Sequence, residues 1–190
     1  VLVDAAPERD ELRRLVRRQG ELAEEHLRDN EGALTAYGRL LSMAPESEPV
    51  REAILRLGAS TQRWTQVHEY LSEARSELAD QPAVRQPILL NLGYVLDEKM
   101  GAYDEAIIRY QEVLELDPDH VQALSALETL YARNGNWFEL LSTLDRKVSL
   151  LTDQKDRTAV IRKRALILEE QVEDLLGAID CYRQLLEEDE

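Results

Sequence analysis

One pattern constrains this chain more than any other: it repeats itself. Three segments, Ala33-Leu-Thr-Ala-Tyr37, Ala106-Ile-Ile-Arg-Tyr110 and Ala178-Ile-Asp-Cys-Tyr182, align on their alanines and tyrosines at almost equal intervals along the chain. The same register matches Leu41, Leu114 and Leu186, then Ala23, Leu96 and Leu168, then Gly20, Gly93 and Ala165. It also sets Trp64 on Trp137, Val67 on Leu140 and Leu71 on Leu144. A long period of this kind marks one supersecondary unit used repeatedly, each copy burying its apolar face on the next.

Inside the long repeat, apolar residues recur at intervals of three and four, which is the helical spacing. This reading gives about ten helices, near 8–28, 30–43, 47–60, 62–79, 83–100, 102–116, 119–133, 135–152, 156–172 and 174–189. Each copy of the long repeat therefore holds two helical hairpins. Leu, Ala, Glu and Arg dominate every segment, and they lose little rotamer freedom on a helix. Val and Ile form no alternating runs, so no strand is expected. Asp29-Asn30, Gly101 and Asn134-Gly135-Asn136 supply helix-stop chemistry. Pro45, Pro49, Pro82 and Pro118 belong at helix starts or between helices; Pro87 belongs in the first turn of a helix starting near 85, or kinks one starting at 82.

Short connections make neighbouring helices antiparallel. The expected fold is all-α, a right-handed α-solenoid of antiparallel helical hairpins, because a closed bundle has no need of the recurring Ala-x-x-x-Tyr. It forms one domain over 1–190, with units at about 8–45, 46–81, 82–118, 119–154 and 155–190. Trp64, Trp137 and the repeat tyrosines are expected to be buried core anchors.

The stretch from Leu92-Gly93 to Asp117-Pro118 resembles a tetratricopeptide repeat. Gly93 stands at the small residue where two helices touch, Ala106 and Tyr110 form the Ala-aromatic pair, and Pro118 follows the second helix. Leu124, Leu127, Tyr131 and Gly135 continue the pattern in the next unit, where Trp137, Leu140 and Leu144 replace tyrosine, alanine and an aromatic. Two departures stand out. The step from Gly93 to Ala106 is one position longer than the family's usual spacing, so the first helix should carry an extra residue near its end. Leu140 and Val67 replace a small alanine, so their helices should sit further apart. The resemblance implies a non-catalytic scaffold or adaptor that binds a peptide or protein domain along a concave helical groove. The alternative is a regulatory repeat module attached to a catalytic or membrane-anchored domain outside this stretch. Ala126 occupies a position where the terminal-carboxylate clamp of chaperone-binding members wants a polar amide, so that activity is not carried over.

The chain begins at Val1 rather than Met, and Glu190 falls where Pro118 stands one repeat earlier, so a fragment of a longer repeat protein is expected. Ile179, Tyr182, Leu185 and Leu186 cannot all pack on the preceding hairpin, which leads to an expectation of end-to-end self-association.

Charge and composition narrow the function. The net charge of −15 would repel nucleic acid and an anionic membrane surface, so neither is expected as a partner. Cys181 is the lone cysteine, so the chain can form no internal disulfide and no cysteine zinc cluster, and it reads as a small apolar side chain. His26, His68 and His120 fall in different units without a ligand partner one turn away, and read as solvated. No nucleophile elbow, phosphate loop or dinucleotide fingerprint occurs. The expectation is therefore a protein without catalytic residues, metal or cofactor. A cytoplasmic location is expected, and 19 arginines against 4 lysines hint at a GC-rich bacterial genome.

One feature rises above this background. Arg13, Arg14, Arg17 and Arg18 crowd the first helix; Arg157, Arg162, Lys163 and Arg164 crowd the ninth, which the repeat makes equivalent. In the family these first helices line the groove. The candidate binding residues are Arg18, Asn91, Tyr94, Ser125, Thr129, Lys163 and Arg164, and the basic ones would favour an acidic protein or peptide. The competing reading has these cations pairing with neighbouring acidic helices.

Overall fold

The computed structural model describes residues 5–76, 78 and 80–188; the expected helix ends at 79 and 189 and the terminus at Glu190 lie outside them. The described residues form ten α-helices and no strand. These are α1 (Ala5–Leu22), α2 (Asn30–Met43), α3 (Glu48–Thr61), α4 (Trp64–Ser76), α5 (Pro82–Tyr94), α6 (Tyr103–Leu116), α7 (Val121–Asn134), α8 (Trp137–Leu150), α9 (Gln154–Glu170) and α10 (Leu175–Glu188). The chain divides into two compact units, Val1–Arg109 and Tyr110–Glu190.

The helix starts have local causes. Asp29, His120 and Asp153 each accept a hydrogen bond from the backbone N–H three positions on, at Gly32, Ala123 and Asp156, satisfying donors that a helix leaves orphaned. His120 is thus a cap rather than a merely solvated ring. Proline opens α5, and the helix runs from Pro82 through Pro87, forgoing the bond that a backbone N–H at 87 would make to Ala83.

The extra residue expected after Gly93 is present as a π-helical stretch, Val95–Met100, continuing α5. An equivalent stretch, Ala23–Leu27, continues α1. A π turn is a one-residue insertion in an α-helix, so it absorbs the additional residue without a break. The wide turn closes the same way in all three copies of the long repeat. The N–H groups of Asp29, Ala102 and Asp174 reach back to the carbonyls of Ala23, Leu96 and Leu168, each at 2.8 Å. Just before each bond sits a left-handed residue: Arg28, Gly101 and Glu173, with φ of 55°, 67° and 60°.

The core of the first unit is aliphatic, with Leu34, Leu40, Leu41, Ile54, Leu57 and Leu71 fully buried. Small residues allow close approach. The ring of Tyr37 lies 3.2 Å from where a Cβ on Gly20 would be, and Val67 lies against Gly58. In the second unit Leu124, Leu127, Leu130, Leu140 and Leu144 are buried, followed by a cluster of Ile161, Ala165, Leu168, Ala178, Cys181 and Leu185. Cys181 is buried among these apolar side chains, and its sulfur also accepts a hydrogen bond from Arg164 at 3.0 Å.

The anchors differ from expectation. Trp64 and Trp137 are half-buried rather than enclosed. Each opens the second helix of its hairpin, next to the connecting turn. Trp64 packs on the core and carries the ammonium of Lys99 5.7 Å from its ring centre. Of the repeat tyrosines, Tyr110 is buried and Tyr37 half-buried, while Tyr182 is exposed and donates its hydroxyl hydrogen to Glu169 at 2.8 Å.

Candidate protein-interaction surface

Arg18, Asn91 and Lys163 occupy one position of the long repeat, on α1, α5 and α9. The residue three further on, hence on the same helical face, is Glu21, Tyr94 or Leu166. These side chains are half-exposed or exposed in every copy. The shorter repeat, from one hairpin to the next, extends the set. Thr129 takes in its hairpin the place that Tyr94 takes in the one before, and Ser125 lies one turn before it on α7.

In the first unit Arg18 pairs with Glu21 of its own helix at 3.0 Å. Asn91 is half-buried, and Tyr94 is exposed with the Lys99 ammonium 4.9 Å from its ring centre. That geometry is a cation–π contact. The Tyr94 hydroxyl beside it favours the charged lysine, raising its pKa.

In the second unit the structure gathers part of the candidate set around a carboxylate. Glu128 bonds Lys147 of α8 at 2.5 Å and Lys163 of α9 at 2.6 Å. Lys147 also donates to the Ser125 hydroxyl at 3.2 Å, and Thr129 donates to the Ser125 carbonyl at 3.2 Å. Burial would raise the Glu128 carboxyl, but the bonds from Lys147 and Lys163 outweigh it and hold the group below its ordinary range. Arg164 turns away, pairing with Asp145 at 2.7 Å and donating to Cys181. Lys163 and Arg164 thus pair with acidic side chains of α7 and α8.

Sequence reasoning passed over Glu128 and Lys99. The signal for the first was available: Glu128 holds the small-residue place that Gly93 holds in the preceding hairpin. Among the described residues no group of three or more histidine, cysteine, aspartate or glutamate side chains is placed to hold a metal ion. No helix among them is long and apolar enough to cross a membrane.

The comparisons with known proteins fit this architecture. The family pattern described as tetratricopeptide repeat matches residues 86–120, and a second pattern of that description matches residues 123–158. Residues 86–120 and 123–158 are thus tetratricopeptide repeats. The first takes in most of α5 and all of α6; the second takes in most of α7, all of α8 and the start of α9. Solved structures share the fold across nearly the whole length. A crystal structure of MamA protein has 15% identity and a TM-score of 0.59, covering 95% of this chain and 93% of that one. A kinesin light chain with nearly identical TPR-like repeats from Podosopora anserina has 16% identity and a TM-score of 0.55, covering 93% and 96%. BtubC (BKLC) from P. vanneervenii has 17% identity and a TM-score of 0.53, covering 98% and 88%. No curated protein matches the chain. The tetratricopeptide fold is typically a protein-interaction scaffold, and its first helices here are α1, α3, α5, α7 and α9.

Proposed function

We propose that this chain binds a peptide or protein domain on the exposed faces of its first helices. The observation that carries the reading is the shared repeat position of Arg18, Asn91 and Lys163, accessible in all three copies, together with Tyr94 and Thr129, exposed at one place of successive hairpins. Asn91 offers a donor and an acceptor to a peptide backbone, and Tyr94 offers rigid amphipathic area at small entropic cost. Lys163 and Arg164 contribute less than free cations would, because Glu128 and Asp145 already neutralise them. The reading therefore centres on polar and aromatic recognition, with Arg18 as the more exposed cation.

The test is capture of partners from the native source by wild type and by Tyr94→Ala with Thr129→Ala. Both residues are exposed, so the variant keeps its fold. Loss of a partner that wild type retains supports the reading; an unchanged set of partners contradicts it.

A second proposal concerns copies of the chain itself. Leu15 and Leu22 of α1 are exposed, yet they share repeat positions with Ile88 and Val95, which are buried. Leu186 of α10 is likewise exposed, while Leu41 at the same position of α2 is buried. Ile179 is exposed beside it, and its equivalent Ile107 of α6 is buried. Each exposed face is thus one half of a junction that the fold makes internally, and a second copy supplies the other half.

A further inference from the structure

The two long repeats treat one position in opposite ways. In the first unit the ring of Tyr70 on α4 lies against Gly38 of α2, so close that a Cβ at Gly38 would clash with it. The Tyr70 hydroxyl accepts a hydrogen bond from Gln66 at 2.7 Å. In the next copy of the long repeat, Tyr70 becomes Thr143 and Gly38 becomes Gln111. Thr143 turns back on its own helix, donating to the Glu139 carbonyl at 2.8 Å. Gln111 reaches to α7, donating to the Tyr131 hydroxyl at 2.9 Å. Tyr131, in place of Gly58, and Gln111 fill part of that region in the second unit, and the space beside Thr143 stays open to the surface.

The result is a surface depression of about 600 Å³, walled by Leu114, Leu127, Tyr131, Phe138 and Thr143. Phe138 stands at its rim, 74% exposed, in place of Thr65 of the first unit. Phe138 thus gives the rim an aromatic ring that the first unit lacks. Glu115 and Glu139, both exposed, give the depression two carboxylates.

We propose that this depression receives an aromatic side chain from a partner polypeptide, taking the place that Tyr70 takes in the first unit. The proposal rests on the interaction-scaffold reading and deepens it by naming what the partner must present. Leu114, Leu127 and Phe138 supply apolar contact for a ring, which carries much buried area with only two torsions to fix. The carboxylates at 115 and 139 favour lysine or arginine beside that aromatic residue. The depression lies between α6, α7 and α8, so it is a second contact beside the first-helix positions.

The experiment uses the whole chain and three capped tripeptides, Lys-Tyr-Lys, Lys-Phe-Lys and Lys-Ala-Lys, at millimolar concentration, followed by amide NMR shifts. The tyrosine and phenylalanine peptides are expected to shift amides at 111–115 and 138–143, with the alanine peptide roughly tenfold weaker. Thr143→Tyr combined with Gln111→Gly places a ring where Tyr70 stands in the first unit and should abolish the shifts. Phe138→Ser, at an exposed position, should weaken them even if the double variant folds poorly. Equal shifts for all three peptides, shifts confined to other segments, no shifts, or a Phe138→Ser chain that binds undiminished would overturn the proposal. The scaffold reading fails separately, through unchanged capture by the Tyr94→Ala, Thr129→Ala chain.

Discussion

Glu128 is the residue whose surroundings make the sharpest local demand. Its carboxylate sits between Lys147 and Lys163 with little water access, and both bonds favour the charged form. A carboxyl whose folded pKa is lowered contributes stability that is present above its ordinary value near 4.3 and lost as pH falls through the folded value. Glu128→Gln should therefore cost about 1–3 kcal/mol at neutral pH. The gap between the two melting curves should narrow as pH falls below about 4; a gap independent of pH would remove the electrostatic account. Tryptophan behaves differently from its sequence reading. A half-exposed indole forfeits only part of its burial, so Trp137→Ala should cost about 2 kcal/mol. Leu127→Ala, at a fully buried site, should cost about 2–5 kcal/mol. Denaturant titration of both orders them. Recurrence showed that Trp64 and Trp137 hold equivalent places, but it could not show depth. Depth depends on what neighbouring helices cover, and a residue opening a helix sits next to a turn.

The connecting turns set the next level of organisation. Left-handed residues follow the first helix of every hairpin: Arg28, Gln62, Gly101, Gly135 and Glu173 all have φ between 55° and 72°. Glycine adopts this conformation without strain, whereas a residue with a Cβ is destabilised there by about 1–2 kcal/mol. Arg28→Gly, Gln62→Gly and Glu173→Gly should each raise stability by about 0.5–1 kcal/mol in a thermal melt. Gly101→Val should lower it. The reverse signs would mean that those side chains, not the backbone, hold the turns. Gly101 and Gly135 made two of these turns readable in the sequence, and the lengthened step from Gly93 to Ala106 foretold the wide turn of Val95–Met100. The turns at Arg28, Gln62 and Glu173 carry no glycine; Asp29-Asn30 marked the first, and the other two followed only from the apolar spacing of the flanking helices. The candidate cations were harder to read. Lys163 and Arg164 share a helix, but their partners Glu128 and Asp145 come from α7 and α8, and one helix's sequence does not reveal its neighbours' charges.

At the scale of the whole molecule, the repeat supplies both the binding positions and the exposed faces. Leu15 is 61% exposed and Leu186 70% exposed, at positions that their repeat equivalents Ile88 and Leu41 bury. If copies join through these faces, the contact is head-to-tail and open-ended. Light scattering should then show mass rising with concentration for wild type, and monomers for Leu15→Asp or Ile179→Asp alone. A mixture of the two variants should stop at a dimer, since one intact face remains on each. A wild type that stays monomeric throughout would exclude the junction. The central claim, binding through the first helices, is tested most directly by hydrogen exchange on the chain with and without a captured partner. The account predicts slowed exchange on α5 around Asn91 and Tyr94 and on α7 around Ser125 and Thr129. Protection that spares both of these segments while another surface of the chain is covered would contradict it.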